Sequence, residues 1–118
     1  MSQLLANVFS AELGWKPVAT AEDGTDIKAG AAFVSNLVEG TAVDVWGAER
    51  GLIGGVTTDE IFVVLEGKAE VTFADTGETI RIGPGDIVRL YAGQENTWHT
   101  FEPIRKVSFY VPPAVDGS

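Results

Sequence analysis

The chain has 118 residues, of which 45% are hydrophobic and 21% are charged, and this is the balance of one soluble globular domain. It contains no cysteine, which excludes a disulfide framework, a thiolate metal site and a cysteine nucleophile. The net charge of −9 argues against binding to nucleic acid or to a membrane surface, because both require clustered basic side chains.

The first seven residues have neither a basic segment nor a long apolar segment, so the sequence predicts no signal peptide and a cytoplasmic location. Residues 1–30 are interpreted as an N-terminal extension. Its apolar side chains are predicted to form an edge strand that pairs two copies into a homodimer: Leu4, Leu5, Val8 and Phe9. Pro17 favours an extended backbone around it.

From residue 31 to residue 113 the chain is predicted to alternate between short strands and turns that contain glycine. The strands are predicted at residues 32–34, 42–47, 61–65, 69–73, 79–82, 87–91, 97–101 and 106–111. The turns are predicted at residues 66–68, 75–78, 83–86 and 92–95. Residues 114–118 are expected to form a loose tail. No segment has a helical period, so the sequence predicts an all-β antiparallel sandwich or barrel.

Two short motifs resemble those of the cupin family. Glu60 followed by six residues and Gly67 resembles the end of the first cupin motif. Residues 85–93 resemble the second motif, with Tyr91 where a proline is usual. The resemblance implies an antiparallel double-stranded β-helix, which is the RmlC-like jelly-roll barrel of cupins.

One subgroup fits better than cupins at large. Thr97 and Trp98, followed by Glu102 and by the basic pair at residues 105–106, are similar to the small single-domain cupins. These are the cupins related to the ethanolamine-utilisation cupin and to the ureidoglycine aminohydrolases.

The resemblance breaks down at the positions where cupins bind metal. Metal-binding cupins place two histidines shortly before the glutamate, whereas residues 52–57 of this chain contain none. Asn96 stands at the position of the third histidine, and the one histidine of the chain is His99. The sequence therefore predicts no cofactor, and a divalent metal held by Glu60 and Asn96 is kept as the alternative.

Glu60 is the candidate catalytic residue. The resemblance implies that it points into the barrel, where a carboxylate in a partly apolar cavity suits a general acid or base. In the alternative interpretation, its carboxylate pairs with a basic residue such as Arg81 or Lys106.

The other candidate residues are predicted to bind the ligand: Trp46, Phe62, Tyr91, Asn96, Trp98 and Lys106. Strand alternation places Asn96 and Trp98 on one face and His99 on the opposite face. By the same alternation, one of Arg105 and Lys106 reaches the pocket and binds an anionic group, while the other faces away. In the alternative interpretation, the aromatic side chains pack the core.

Three functions remain open from the sequence. The favoured one is a small-molecule-binding cupin without a tightly bound metal, with weak acid/base or lyase-like activity on a small polar or anionic metabolite. The second is a metal-dependent enzyme of ureide and nitrogen metabolism. The third is a non-catalytic sensor or partner domain with a vestigial barrel. The sequence does not decide whether the chain is an enzyme.

Overall fold

The computed structural model describes residues 3–37 and 40–111, and every regular element in these two ranges is a β-strand. The strands are β1 (Lys16–Thr20), β2 (Asp26–Asn36), β3 (Ala42–Ala48), β4 (Gly51–Val56), β5 (Glu60–Phe73), β6 (Thr79–Ile82), β7 (Ile87–Leu90) and β8 (Glu95–Tyr110). All of their pairings are antiparallel, which confirms the predicted fold class. Across these ranges, no helix is long and apolar enough to cross a membrane. The expected tail lies outside the described residues.

The two longest strands, β5 and β8, pair with each other along most of their length. Glu60 lies opposite Tyr110 at one end of this ladder, and Phe73 lies opposite Asn96 at the other. At the first end the ladder is flanked by β3, which continues to β2 and β1, and by β7. At the other end it is flanked by β4 and β6. Each long strand therefore contributes to two layers, and the sheet folds over on itself.

The core lies between these two layers. One cluster of buried side chains takes members from both: Phe62, Val64, Leu90 and Ile104 from the first layer, and Ala69, Val71, Phe73, Ile82 and Trp98 from the second. They alternate along β5 and β8 with exposed or half-buried residues, as the period of two requires. Burying each of the larger side chains contributes about 1.5–3 kcal/mol, so this cluster joins the layers.

The tight turn predicted at residues 66–68 is wrong, because β5 runs through this segment as one bent strand. The pairing register with β8 shifts between Val64 and Ala69, which marks a bulge. Gly67 lies in the bulge with a φ of 90°, and a Cβ atom there would overlap the carbonyl groups of Glu102 and Pro103. Gly67 therefore allows β5 and β8 to approach closely, and the chain does not reverse direction there. The strands predicted at residues 97–101 and 106–111 are likewise one strand, β8.

The sheet begins at Lys16, whereas the sequence placed the start of the barrel at residue 31. Residues Leu4–Phe9 contain no strand. The backbone turns there instead, because the carbonyl of Asn7 accepts hydrogen bonds from the amides of Ser10 and Ala11 at 3.2 and 2.9 Å. The Asn7 side chain also accepts from the Phe9 amide at 2.9 Å. The strand predicted at Leu4, Leu5, Val8 and Phe9 is thus wrong, and the edge strand is β1.

The N-terminal segment covers the outer face of β3. A Cβ atom at Gly47 would meet the side chains of Leu13 and Trp15, so the segment packs directly on this strand. Arg105 holds the segment in place, because its guanidinium donates to the carbonyls of Val8 and Ala11 at 2.8 and 3.0 Å. The N-terminal segment covers the outer face of β3, and the inner face of this strand contributes Trp46 to the site described next.

Candidate functional site

A cavity of about 180 Å³ lies at the end of the barrel where β5 begins. Its wall is formed by Trp46, Val56, Thr57, Thr58, Glu60, Leu90, Trp98, Lys106 and Tyr110. The rim is tied by hydrogen bonds. The Thr57 hydroxyl donates to the Tyr91 carbonyl at 2.6 Å, and the Thr57 carbonyl accepts from the Gly93 amide at 2.9 Å. The segment between β4 and β5 is thereby fixed to the turn between β7 and β8.

The wall of this cavity contains a buried ion pair. Lys106 Nζ lies 3.1 Å from Glu60 Oε2 and 2.8 Å from the hydroxyl oxygen of Ser108. Only 4% of Lys106 and 7% of Glu60 is exposed. The β5–β8 register sets Tyr110 opposite Glu60 and Val64 opposite Lys106, so the two partners share one face, and the Lys106 side chain extends along the ladder to reach Glu60. The structure therefore shows the alternative interpretation of Glu60, in which its carboxylate pairs with Lys106.

Three aromatic rings surround the Lys106 ammonium group. Nζ lies 4.2 Å from the ring centre of Phe62, 5.0 Å from that of Trp46 and 5.7 Å from that of Trp98. The rings also contact one another, with Trp98 centred 5.5 Å from Trp46 and 5.6 Å from Phe62. A cation within about 6 Å of a ring face is attracted by the ring quadrupole. The rings therefore replace part of the hydration that Lys106 loses.

The environment of Lys106 makes proton loss easier. Burial lowers the pKa of its ammonium group below the ordinary value of 10.5, because water no longer solvates the charge. The negative charges of Glu60 and Asp44 oppose this effect, and burial has the larger influence. The amine is therefore more readily neutral than that of an exposed lysine.

A second acidic group lies beside the pair. The Tyr110 hydroxyl donates to Asp44 Oδ2 at 3.1 Å, and Asp44 faces Ser108 across the β3–β8 ladder. Burial raises the pKa of the Asp44 carboxyl above 3.8, and the hydrogen bond from Tyr110 counteracts part of this. Burial and the charges of Glu60 and Asp44 raise the pKa of Tyr110 above its ordinary 10, so the phenol remains a donor.

The structure brings together most of the residues that the sequence predicted for the site. Four of them line the cavity: Glu60, Trp46, Trp98 and Lys106. The ring of Phe62 lies against the Lys106 ammonium group. Phe62 is also fully buried, so packing and site formation are two roles of one side chain.

Two predicted ligand-binding residues lie elsewhere. Tyr91 is 56% exposed, and its ring lies against the Arg89 guanidinium at 4.7 Å. Asn96 is buried, but it borders a separate surface depression beside Gly55 and Val56. Its Nδ2 atom is buried without a hydrogen-bond partner among the described residues. His99 faces outward, as alternation predicted.

Sequence reasoning missed Asp44, Ser108 and Tyr110 as members of the site. The alternation of side chains along β8 and β3 indicates that these three residues face the site. Ser108 and Tyr110 follow Lys106 at intervals of two, and Asp44 precedes Trp46 by two. The rule that placed Asn96 and Trp98 on one face would also have placed these three side chains beside the pair.

The residues present do not fit the metal alternative. A metal ion bound by Glu60 would have to share this carboxylate with the Lys106 ammonium group, 3.1 Å away, and the two cations would repel each other. Asn96, the second predicted ligand, does not line the same cavity. Within residues 3–37 and 40–111, no group of three His, Cys, Asp or Glu side chains could hold a metal ion.

The family described as the EutQ-like cupin domain matches residues 39–107. A DUF861 family protein from Thermotoga maritima is 35% identical, with 54% of this chain and 73% of that chain covered and a TM-score of 0.52. The Clostridium difficile EutQ protein is 13% identical, with 75% and 71% covered and a TM-score of 0.63.

The ectoine synthase from P. lautus is 18% identical, with 74% of this chain and 66% of that chain covered and a TM-score of 0.63. At such low identities, the last two structures show the fold alone. No curated protein matches the chain.

Proposed function

Because the chain belongs to the EutQ-like cupin family, we propose that it binds a small polar or anionic metabolite in the cavity beside Lys106 and Glu60, without a tightly bound metal. One observation carries this proposal: both members of a buried ion pair line the cavity. A buried ion pair is a weak source of stability, because desolvation offsets the attraction between the charges. Its position on a cavity wall supports a role in binding.

The pair sets the chemistry of the ligand. Lys106 offers a donor and Glu60 an acceptor at neighbouring points of the wall, while Trp46 and Trp98 offer flat apolar surfaces. A ligand with a carbonyl or carboxylate oxygen for Lys106 and an N–H or O–H group for Glu60 fits this arrangement. The volume of about 180 Å³ is below the range of about 300–1,000 Å³ for sites of drug-sized molecules, so the metabolite is small.

The same groups support weak acid/base or lyase-like activity. Glu60 accepts a proton from a bound ligand and, once protonated, returns it. The cavity argues against a barrel filled by Trp98 and Phe62, which the vestigial alternative requires. The poor fit for a metal argues against a metal-dependent ureide enzyme. A cytoplasmic location stays a prediction.

A thermal-unfolding screen tests the proposal. The compounds are small carboxylates, ureides, Mn²⁺, Ni²⁺ and Zn²⁺. A ligand that binds only the folded state stabilises it by about 2.7 kcal/mol at 100 times its Kd, and the unfolding midpoint rises accordingly. We expect a small polar compound to raise the midpoint of the wild type and to lose this effect in Lys106→Met.

The matched control is Arg81→Met, which removes the exposed partner of Glu70 and should keep the response. The proposal fails if no small polar compound raises the midpoint. It also fails if a metal does so in the wild type but not in Glu60→Gln.

A further inference from the structure

The cavity wall presents one primary amine, that of Lys106, among the residues that line it. The geometry around this amine combines what attack on a carbonyl carbon requires. A carboxylate lies 3.1 Å from the nitrogen and can take its proton. Three aromatic rings exclude water on the other sides, at 4.2–5.7 Å from the nitrogen to each ring centre. A second polar group, the Tyr110 phenol, reaches the same cavity.

We propose that the metabolite is a small aldehyde or ketone, and that Lys106 binds it covalently as an imine with Glu60 as the proton acceptor. This inference rests on the proposed function, since it uses the same cavity, and it specifies the substrate class. A desolvated lysine in an apolar pocket is the usual form of an imine-forming residue.

The step balances without any further reactant. The Lys106 ammonium first transfers a proton to the Glu60 carboxylate, which leaves a neutral amine and a carboxylic acid. The nitrogen lone pair then forms a bond to the carbonyl carbon as the C=O π bond opens, and one N–H proton passes to the oxygen, which becomes a hydroxyl. Glu60 gives its proton back to this hydroxyl, which leaves as water, and the nitrogen lone pair forms the carbon–nitrogen double bond of a protonated imine beside the Glu60 carboxylate. Neither oxidant nor reductant is consumed.

The surroundings favour the bound product as well as the attack. A protonated imine carries its positive charge on the nitrogen, which remains beside Glu60 and the rings of Trp46, Phe62 and Trp98.

The other lysines provide an internal reference. They are Lys16, Lys28 and Lys68, and all three are exposed. Lys68 makes a loose surface contact with Glu102 at 3.7 Å. Burial lowers the pKa of the Lys106 amine, which raises its neutral fraction near neutral pH.

Reductive trapping on the wild-type chain tests the inference. The protein is incubated near neutral pH with acetaldehyde, and separately with pyruvate, in the presence of sodium cyanoborohydride, and peptide mass spectrometry measures the adduct on each lysine. We expect at least one probe to label Lys106 measurably faster than Lys68, because burial lowers the pKa of the Lys106 amine and so raises its neutral fraction. The Lys106 rate should also level off at a lower pH than the Lys68 rate.

Two variants and one control complete the experiment. Lys106→Arg should remove the fast adduct and leave Lys16, Lys28 and Lys68 unchanged, and Glu60→Gln should slow it. In guanidinium chloride, Lys106 and Lys68 should react alike. If both probes label Lys106 no faster than Lys68 in the folded chain, the inference is wrong. The proposed binding function is tested separately. It still holds if small polar compounds that lack an aldehyde or ketone group raise the unfolding midpoint.

Discussion

At the scale of single residues, the pair of Glu60 and Lys106 decides how the site responds to substitution. Each side chain is less than a tenth exposed, so each charge depends on the other for its solvation. Removing one partner of a buried pair typically costs about 3–5 kcal/mol, whereas replacing both by apolar groups of similar size is close to neutral.

We therefore expect Glu60→Leu and Lys106→Met each to lower the free energy of unfolding by about 3–5 kcal/mol, and the double variant to recover most of this loss. Urea denaturation of the four proteins measures the coupling. As a control, Arg81→Met breaks an exposed pair with Glu70 and should cost less than about 1 kcal/mol. Additive effects of the two core substitutions would show that the pair is not coupled.

The sequence predicted the members of the site unevenly. Glu60, Trp98 and Lys106 were found because a motif position or strand alternation gives the face of each residue. The contact between Glu60 and Lys106 stayed one of several options, because it depends on the register between β5 and β8. Tyr91 was placed in the pocket from its motif position, but its ring turns outward onto Arg89.

At the scale of elements, the bulge at Gly67 lets β5 serve both layers. Its φ of 90° lies in the region that favours glycine, and the carbonyls of Glu102 and Pro103 leave no room for a Cβ atom. We expect Gly67→Ala to lower the free energy of unfolding by more than about 2 kcal/mol, since the backbone strain alone costs about 1–2 kcal/mol. Chemical denaturation measures the loss.

Gly55 in β4 is the matched control. It has no positive φ, and no heavy atom lies within 4 Å of the position of an added Cβ. Gly55→Ala should be neutral or should stabilise the fold by about 0.4–1 kcal/mol, because alanine restricts the unfolded chain. Equal losses at the two glycines would mean that the bulge does not require Gly67.

Glycine also explains where the prediction of elements failed. The pattern around Gly67 predicts a turn, because a local sequence pattern does not distinguish a chain reversal from a bulge. β4 was missed because Gly54 and Gly55 lower the strand propensity of a segment held by its pairing with β8. The hairpins with regular alternation on both sides, such as β5 to β6, were predicted correctly.

At the scale of the whole molecule, the N-terminal segment leaves apolar side chains exposed. Leu5 is 62% exposed and Phe9 is 53% exposed, although neither belongs to a strand. Exposed apolar side chains close together in sequence suit an interface between copies. We expect light scattering after size-exclusion chromatography to give twice the chain mass of 12.5 kDa.

The double variant Leu5→Glu with Phe9→Glu should shift the molecule to a monomer. The control is Ile87→Glu, at a side chain that is 74% exposed on β7, and it should remain dimeric. A wild-type protein that elutes with the mass of one chain at micromolar concentration would refute the predicted homodimer.

The central position of β8 also has a consequence for synthesis on the ribosome. Residues 95–110 pair with β3, β4 and β5, so neither layer of the barrel is complete until this late segment has emerged. Until then, β5 displays a long unpaired edge, which is the kind of surface through which nascent chains associate. The net charge of −9 keeps such chains apart by mutual repulsion, which gives the acidity of this sequence a role before the fold exists.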